Sequence, residues 1–211
     1  MDVLDVKEEI IQRFKWRTAT DRPFIVAIDG LGGAGKSTIA HHLVEELQSI
    51  CTVTLIHIDN HIVERCKRYD TGHEEWFEYY YLQWDIESLI NNLFLPLHNR
   101  ALHLSLPFYN QHTDTICERD MNIEANSIFI IEGIFLMRHE WRSFYDYRLY
   151  IDCPSTIREE RVLQRDVYIG DFITRLHKYK KRYWPAEKYY LTKENPLAVV
   201  DSVYEVKSTI Y

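Results

Sequence analysis

Chemistry in this chain turns on the spacing Gly30-x-x-x-x-Gly35-Lys36-Ser37. Phosphate oxygens are held by backbone N–H groups converging from a tight loop, and a Cβ obstructs both the turn and the close approach. Gly30, Gly32, Gly33 and Gly35, with Ala34 among them, remove that obstruction; four of the chain's seven glycines fall in this one loop. Lys36 brings a positive charge that can reach terminal phosphates, the Ser37 hydroxyl is placed to ligate magnesium, and the loop closes at Thr38.

Acids and arginines complete the candidate set. Asp59, after the apolar run TVTLIHI, is the expected base facing the γ-phosphate side, with a helix N-cap as its other reading. Glu132, after SIFII, stands where an acid would hold magnesium directly or through water, or else caps a turn. Arg158, Arg161 and Arg165 lie at i, i+3 and i+7, hence on one helix face. They either stabilise a migrating charge or pair with Glu159, Glu160 and Asp166. His57, His61 and Cys66 have no zinc-site spacing.

These groups need a scaffold. Phe24 to Ile28, Thr52 to Ile58, Ser127 to Ile131 and Tyr147 to Asp152 are near-continuous apolar runs, as expected for parallel strands buried on both faces, with Leu197 to Asp201 as a short fifth. Helices are expected over residues 3–17, after the glycine loop, from the N-cap Asp85 to Leu93, over 139–145, 155–168 and 172–183. Residues 60–85 read as a loop with one or two short helices, and 101–110 as a hairpin-like segment. Strands alternating with helices argue a parallel sheet covered on both faces, with ligands at the carboxyl ends of the strands, where Asp29, Asp59, Glu132 and Asp152 cluster.

At 211 residues the chain suits one α/β domain, 1–211, with a small lid about 155–185. Its composition, 46% hydrophobic and 27% charged, is that of a globular protein. A net charge of −7 argues against bulk nucleic-acid or polybasic membrane contact, so an anionic ligand needs a local basic pocket. The four cysteines form no CxxC pair, and no apolar run reaches the length of a signal peptide or spanning helix, so a cytoplasmic, reduced setting is expected. A homo-oligomer is left open.

The order DGLGGAGKST, strand and Asp59, LPFYNQHT, IFIIEGIFL, YRLYIDCPSTIREERVLQRD resembles the uridine kinase and phosphoribulokinase-type family of P-loop kinases, over roughly residues 20 to 200. The resemblance implies a P-loop NTPase three-layer α/β/α sandwich with a parallel, about five-stranded sheet and a small helical lid. It implies ATP and Mg2+ as cofactors, and a small-molecule acceptor, a nucleoside first. It makes Asp59 the base and Glu132 the acid that assists magnesium, and Lys36 the catalytic cation. Arg161 and Arg165 then bind nucleotide, while Asp85, Tyr109, His112 and Arg158 join Asp59 around the acceptor. The acceptor segment departs from the family: Tyr79-Tyr80-Tyr81 stands where uridine kinases carry Asp-His-Pro, Asp114 replaces a histidine, and the lid sequence VYIGDF is less basic. The acceptor is therefore a uridine-like nucleoside or another alcohol, such as a sugar phosphate or a pantothenate- or nicotinamide riboside-like compound. A nucleotide switch is disfavoured, since no Asn-Lys-x-Asp guanine reader occurs.

Overall fold

The structure is a computed structural model that describes residues 3–17 and 21–207; of the N-terminal segment 1–20, the part in which the helix is expected, 3–17, is described and the rest lies outside the described residues. Helix α1, Val3–Trp16, buries Val6, Ile10 and Phe14. Strand β1, Phe24–Asp29, is buried along its whole length. Its alternation divides the core, because Ile25 and Ala27 pack in one layer while Phe24, Val26 and Ile28 pack in the other. The glycine loop leads into α2, Lys36–Leu47, whose Ile39, Ala40, Leu43 and Leu47 face the sheet beside α1.

After β2, Val53–His57, come short helices α3, Arg65–Arg68, and α4, Glu75–Tyr81. Helix α5, Ile86–Leu89, runs through a π turn, Ile90–Phe94, into α6, Leu95–His98, and this unbroken stretch supplies Leu89, Leu93, Phe94 and Leu97 to the layer of Ile25 and Ala27. Strands β3, His103–Asn110, and β4, Thr115–Asn122, form an antiparallel hairpin apart from the main sheet. The chain then re-enters the sheet as β5, Ile128–Gly133, and β6, Tyr147–Asp152. Helix α7, Ser155–Arg165, precedes α8, Phe172–Lys178, which continues through a π turn, Tyr179–Tyr183, into α9, Trp184–Glu194. Strand β7, Ser202–Glu205, closes the fold.

The main sheet has the order β2-β5-β1-β6-β7, every neighbouring pair parallel. Helices on both faces make it a P-loop NTPase α/β/α sandwich. The order reverses beside β1, and the crevice at that switch point opens at the glycine loop. Among the described residues no helix is long and apolar enough to cross a membrane.

Several expectations need correction. Strand β2 stops at His57, and Asp59 lies in a 3-10 turn, Ile58–His61, because Ile58 turns into the core and its carbonyl accepts a hydrogen bond from Trp84 Nε1 at 3.0 Å. The helix expected to end at Leu93 continues to His98, and the one expected to end at Tyr183 continues to Glu194. Residues 139–145 contain only a 3-10 turn, Arg142–Phe144. LAVVD is not a strand: Asn195 is left-handed at φ 45, and Pro196–Ala198 form another 3-10 turn. The strand forms just after it, where Ser202–Glu205 meet Leu149–Asp152 and the Asp201 carboxylate accepts from Arg148 N and Nε at 2.9 Å each.

Candidate active site

Parallel register builds the floor of the crevice. His57 and Ile28 both stand level with Glu132, on strands either side of it. Glu132 Oε1 accepts from Ser37 Oγ at 3.0 Å and lies 2.5 Å from His57 Nδ1. Burial opposes charge on Glu132, but the His57 and Ser37 hydrogen bonds and the Lys36 and His57 charges prevail, and its pKa is lowered. His57 answers in the opposite direction, its pKa raised mainly by the Glu132 hydrogen bond. A hydroxyl and a charged carboxylate side by side at a phosphate loop are hard oxygen donors, which fit a magnesium ion that keeps part of its water shell.

The loop itself is set by its glycines. Gly35 begins α2 in the left-handed region at φ 95, and Gly33 sits at φ 77 with its missing Cβ only 2.6 Å from the carbonyl oxygen of Arg158. Gly33→Ala therefore adds both backbone strain and a clash against main chain. We expect it to cost about 1–3 kcal/mol, lowering Tm by about 3–10 °C, as read by circular dichroism on heating. Lys36 Nζ donates to Leu31 O at 3.1 Å, so the ammonium is folded over its own loop.

Two clefts open from this centre. One, of about 820 Å³, is lined by Gly33 to Ile39 together with Arg161, Gln164, Arg165, Tyr204 and Val206. The other, of about 390 Å³, lies between Asp59 and the β3–β4 hairpin and includes Tyr109, His112 and Arg119. Asp59 is open to solvent in this cleft yet ringed by protein. That enclosure raises its pKa, Lys36 opposes it, Glu132 adds to it, and Arg165 and His57 also oppose.

The remaining candidates divide. Arg161 Nη1 donates to Gly33 O at 3.2 Å, and Arg165 forks onto Asp166 at 2.6 and 3.2 Å, both on the wall of the loop cleft. Arg158 points elsewhere, to Glu187 Oε2 at 3.0 Å behind the loop. Tyr109 OH donates to Asp114 Oδ1 at 2.9 Å, an oxygen that also accepts Arg65 N at 2.9 Å, so the acceptor-cleft wall is braced through Asp114. His112 is exposed at the cleft mouth. Asp85 is not on either wall; its side chain caps α5 by accepting Ser88 N at 2.9 Å. Asp29 is fully buried and takes a hydrogen bond from Tyr190 OH, so it serves the core, although it ends β1 beside the loop.

Sequence reasoning missed Glu187, whose Oε1 accepts Gly32 N at 2.8 Å. No local pattern marks it, because the contact joins residues 155 positions apart. Arg119 was also missed; its guanidinium lies 3.2 Å over the Phe108 ring inside the acceptor cleft. Its place follows from the hairpin register, which pairs Arg119 with Leu106, and β4 carries no alternation in the sequence that would have shown it.

The chain is 29% identical over 159 residues to the uridine kinase of Clostridium botulinum (strain Okra / Type B1), covering 69% of this chain and 70% of that one. It is 27% identical over 155 residues to the uridine kinase of Lactobacillus helveticus (strain DPC 4571), covering 70% and 69%. A solved structure from Bacillus stearothermophilus, described as a possible uridine kinase, matches with a TM-score of 0.75 at 40% identity over 93% of this chain and 99% of that one. The model of the phosphoribulokinase / uridine kinase family matches residues 25–170, which hold the glycine loop, Asp59, Glu132 and the arginine helix, and the chain belongs to that family.

Proposed function

We propose that the protein is a kinase that moves the γ-phosphoryl group of ATP to a hydroxyl of a small molecule, a uridine-like nucleoside first. One observation carries this reading: Asp59 borders the hairpin cleft and feels the charges of Lys36 and Arg165, which border the loop cleft. A carboxylate between a phosphate grip and a second cavity is the arrangement that phosphoryl transfer to an alcohol requires.

In this reading the loop amides and Lys36 hold the polyphosphate, and Arg161 and Arg165 face its migrating charge. Ser37 and Glu132 would hold a magnesium ion, which neutralises charge on the terminal phosphates when bound. Asp59 accepts the proton of the acceptor hydroxyl as the oxygen attacks phosphorus. Tyr109 and His112 border the acceptor, and the segment after α7 acts as the lid. Asp85, engaged as a helix cap, has no part in it, and Arg158 acts through the loop.

A second acceptor class is favoured by Tyr79. Tyr80 is fully buried and Tyr81 OH bonds to Tyr189 OH, but Tyr79 is only half-buried; enclosure by protein raises its pKa, and the charge of Asp59 adds to that. A phenol there, in place of the family's carboxylate, suits an alcohol other than a ribonucleoside.

The test is ADP formation from ATP and magnesium with nucleosides, sugar phosphates and pantothenate- or nicotinamide riboside-like alcohols. Acceptor-dependent ADP from one class names the substrate; none from any class defeats the kinase reading. With the true acceptor, Tyr109→Ala is expected to raise its KM about tenfold while kcat stays within about twofold, as read by steady-state kinetics.

A further inference from the structure

Glu187 is a buried carboxylate that the transfer chemistry does not use, and it touches the phosphate loop directly. Its Oε1 accepts Gly32 N at 2.8 Å and its Oε2 accepts Arg158 Nη1 at 3.0 Å. The same Nη1 donates to Gly32 O at 3.3 Å, and Arg158 Nε donates to Cys153 O at 3.1 Å. The side chains of Arg158 and Glu187 are 11% and 6% exposed. Both polar groups of the Gly32 residue are therefore held from behind by a carboxylate and a guanidinium that also hold each other.

The glycines make room for this. A Cβ on Gly32 would lie 3.0 Å from Glu187 Oε1. The tie also has a topological meaning. Arg158 is on α7 and Glu187 on α9, the helices before and after the segment that exposes Val167, Tyr168, Phe172 and Ile173. Both arms of that segment meet at one residue of the loop.

We propose that Glu187 and Arg158 form a strut that positions the phosphate loop and links it to both arms of the lid. Loop amides bind phosphate well only when their directions are fixed beforehand, since ordering a mobile loop at the moment of binding subtracts from affinity. An ion pair that braces Gly32 supplies that order without occupying the amides beyond it. This inference rests on the kinase reading for the identity of the nucleotide, but neither measurement below needs an acceptor.

Amide hydrogen exchange of the free wild-type protein comes first. The Gly32 amide is expected to exchange slowly while those of Gly33 and Gly35 exchange fast; equal rates at the three glycines overturn the strut. The second measurement is ATP affinity, by calorimetry with magnesium, for wild type, Glu187→Gln, Arg158→Met and the double variant. Each single change is expected to weaken ATP about tenfold, and the double variant no more than the weaker single one, because the pair acts as a unit. Unchanged affinity, or losses that simply multiply, overturn the proposal. At saturating ATP, protection of residues 184–194 is expected in wild type and absent in Glu187→Gln, while protection of 33–38 persists in both; a purely structural carboxylate leaves both protections alike. If the variants do not fold, the wild-type exchange rates alone decide. A wild type that binds ATP but phosphorylates nothing defeats the proposed function and leaves the strut standing.

Discussion

Asp59→Asn is expected to lower turnover by about two to four orders of magnitude, with ATP affinity and Tm close to wild type. Asparagine keeps the shape of the side chain but cannot take a proton from the acceptor. The pH profile carries the same information with a defined sign. Enclosure at the cleft raises the Asp59 pKa above the ordinary 3.8, against the pull of Lys36. As a base Asp59 works only when deprotonated, so kcat/KM should rise with pH through that raised value and then level. In the asparagine variant this acid limb should vanish from the residual activity. Retention of more than about a tenth of wild-type turnover removes Asp59 from the base role.

Lys36→Ala is the second large effect, expected to reduce kcat by about 10²–10³ and to weaken ATP binding. The ammonium now donates to Leu31 O, a contact it can exchange for a phosphate oxygen without leaving the loop. Its loss has a further signature, because Lys36 also holds down the pKa values of Asp59 and Glu132. The acid limb of the profile should therefore move to higher pH in the residual activity of Lys36→Ala. An unmoved limb would separate Lys36 electrostatically from Asp59.

Much of the architecture could be read directly because its causes are local. The glycine loop needs particular backbone angles, and the central apolar runs of β1 and β5 need two covered faces, so residue type alone marks them, while β2, an edge strand with only Ile56 buried, is apolar beyond that need. The rest has causes elsewhere. Strand β4 escaped notice because six of its eight residues are exposed, leaving no inward-outward alternation to detect. LAVVD has the composition of a strand, yet Asn195 and Pro196 turn the chain and the Arg148–Asp201 pair delays pairing to Ser202. Around the site, the loop and the position of Glu132 in β5 were legible, but side-chain direction was not: Asp59 lies in a turn past β2, and Asp29 is buried against Tyr190. Arg158, Arg161 and Arg165 share a helix face, and contacts with Glu187, Gly32 O and Cys153 O, distant in sequence or on the main chain, turn the first of them behind the loop.

The wide turn at Tyr179–Tyr183 bears on how this chain is compared with others. A uniform α-helix advances about 100° per residue, but five residues here are wound in a π turn, so the positions before and after it follow different angular origins. Tyr179 OH is tied to Asp166 and Arg182 Nη1 to Glu78 at 3.0 Å, while Glu187 reaches Gly32 one turn further on. Counting along Phe172–Glu194 as though it were one regular cylinder thus places Glu187 about a quarter turn away from its actual direction. An alignment that forbids a single-residue gap between Tyr179 and Tyr183 will misplace its counterpart in any relative whose helix lacks the bulge.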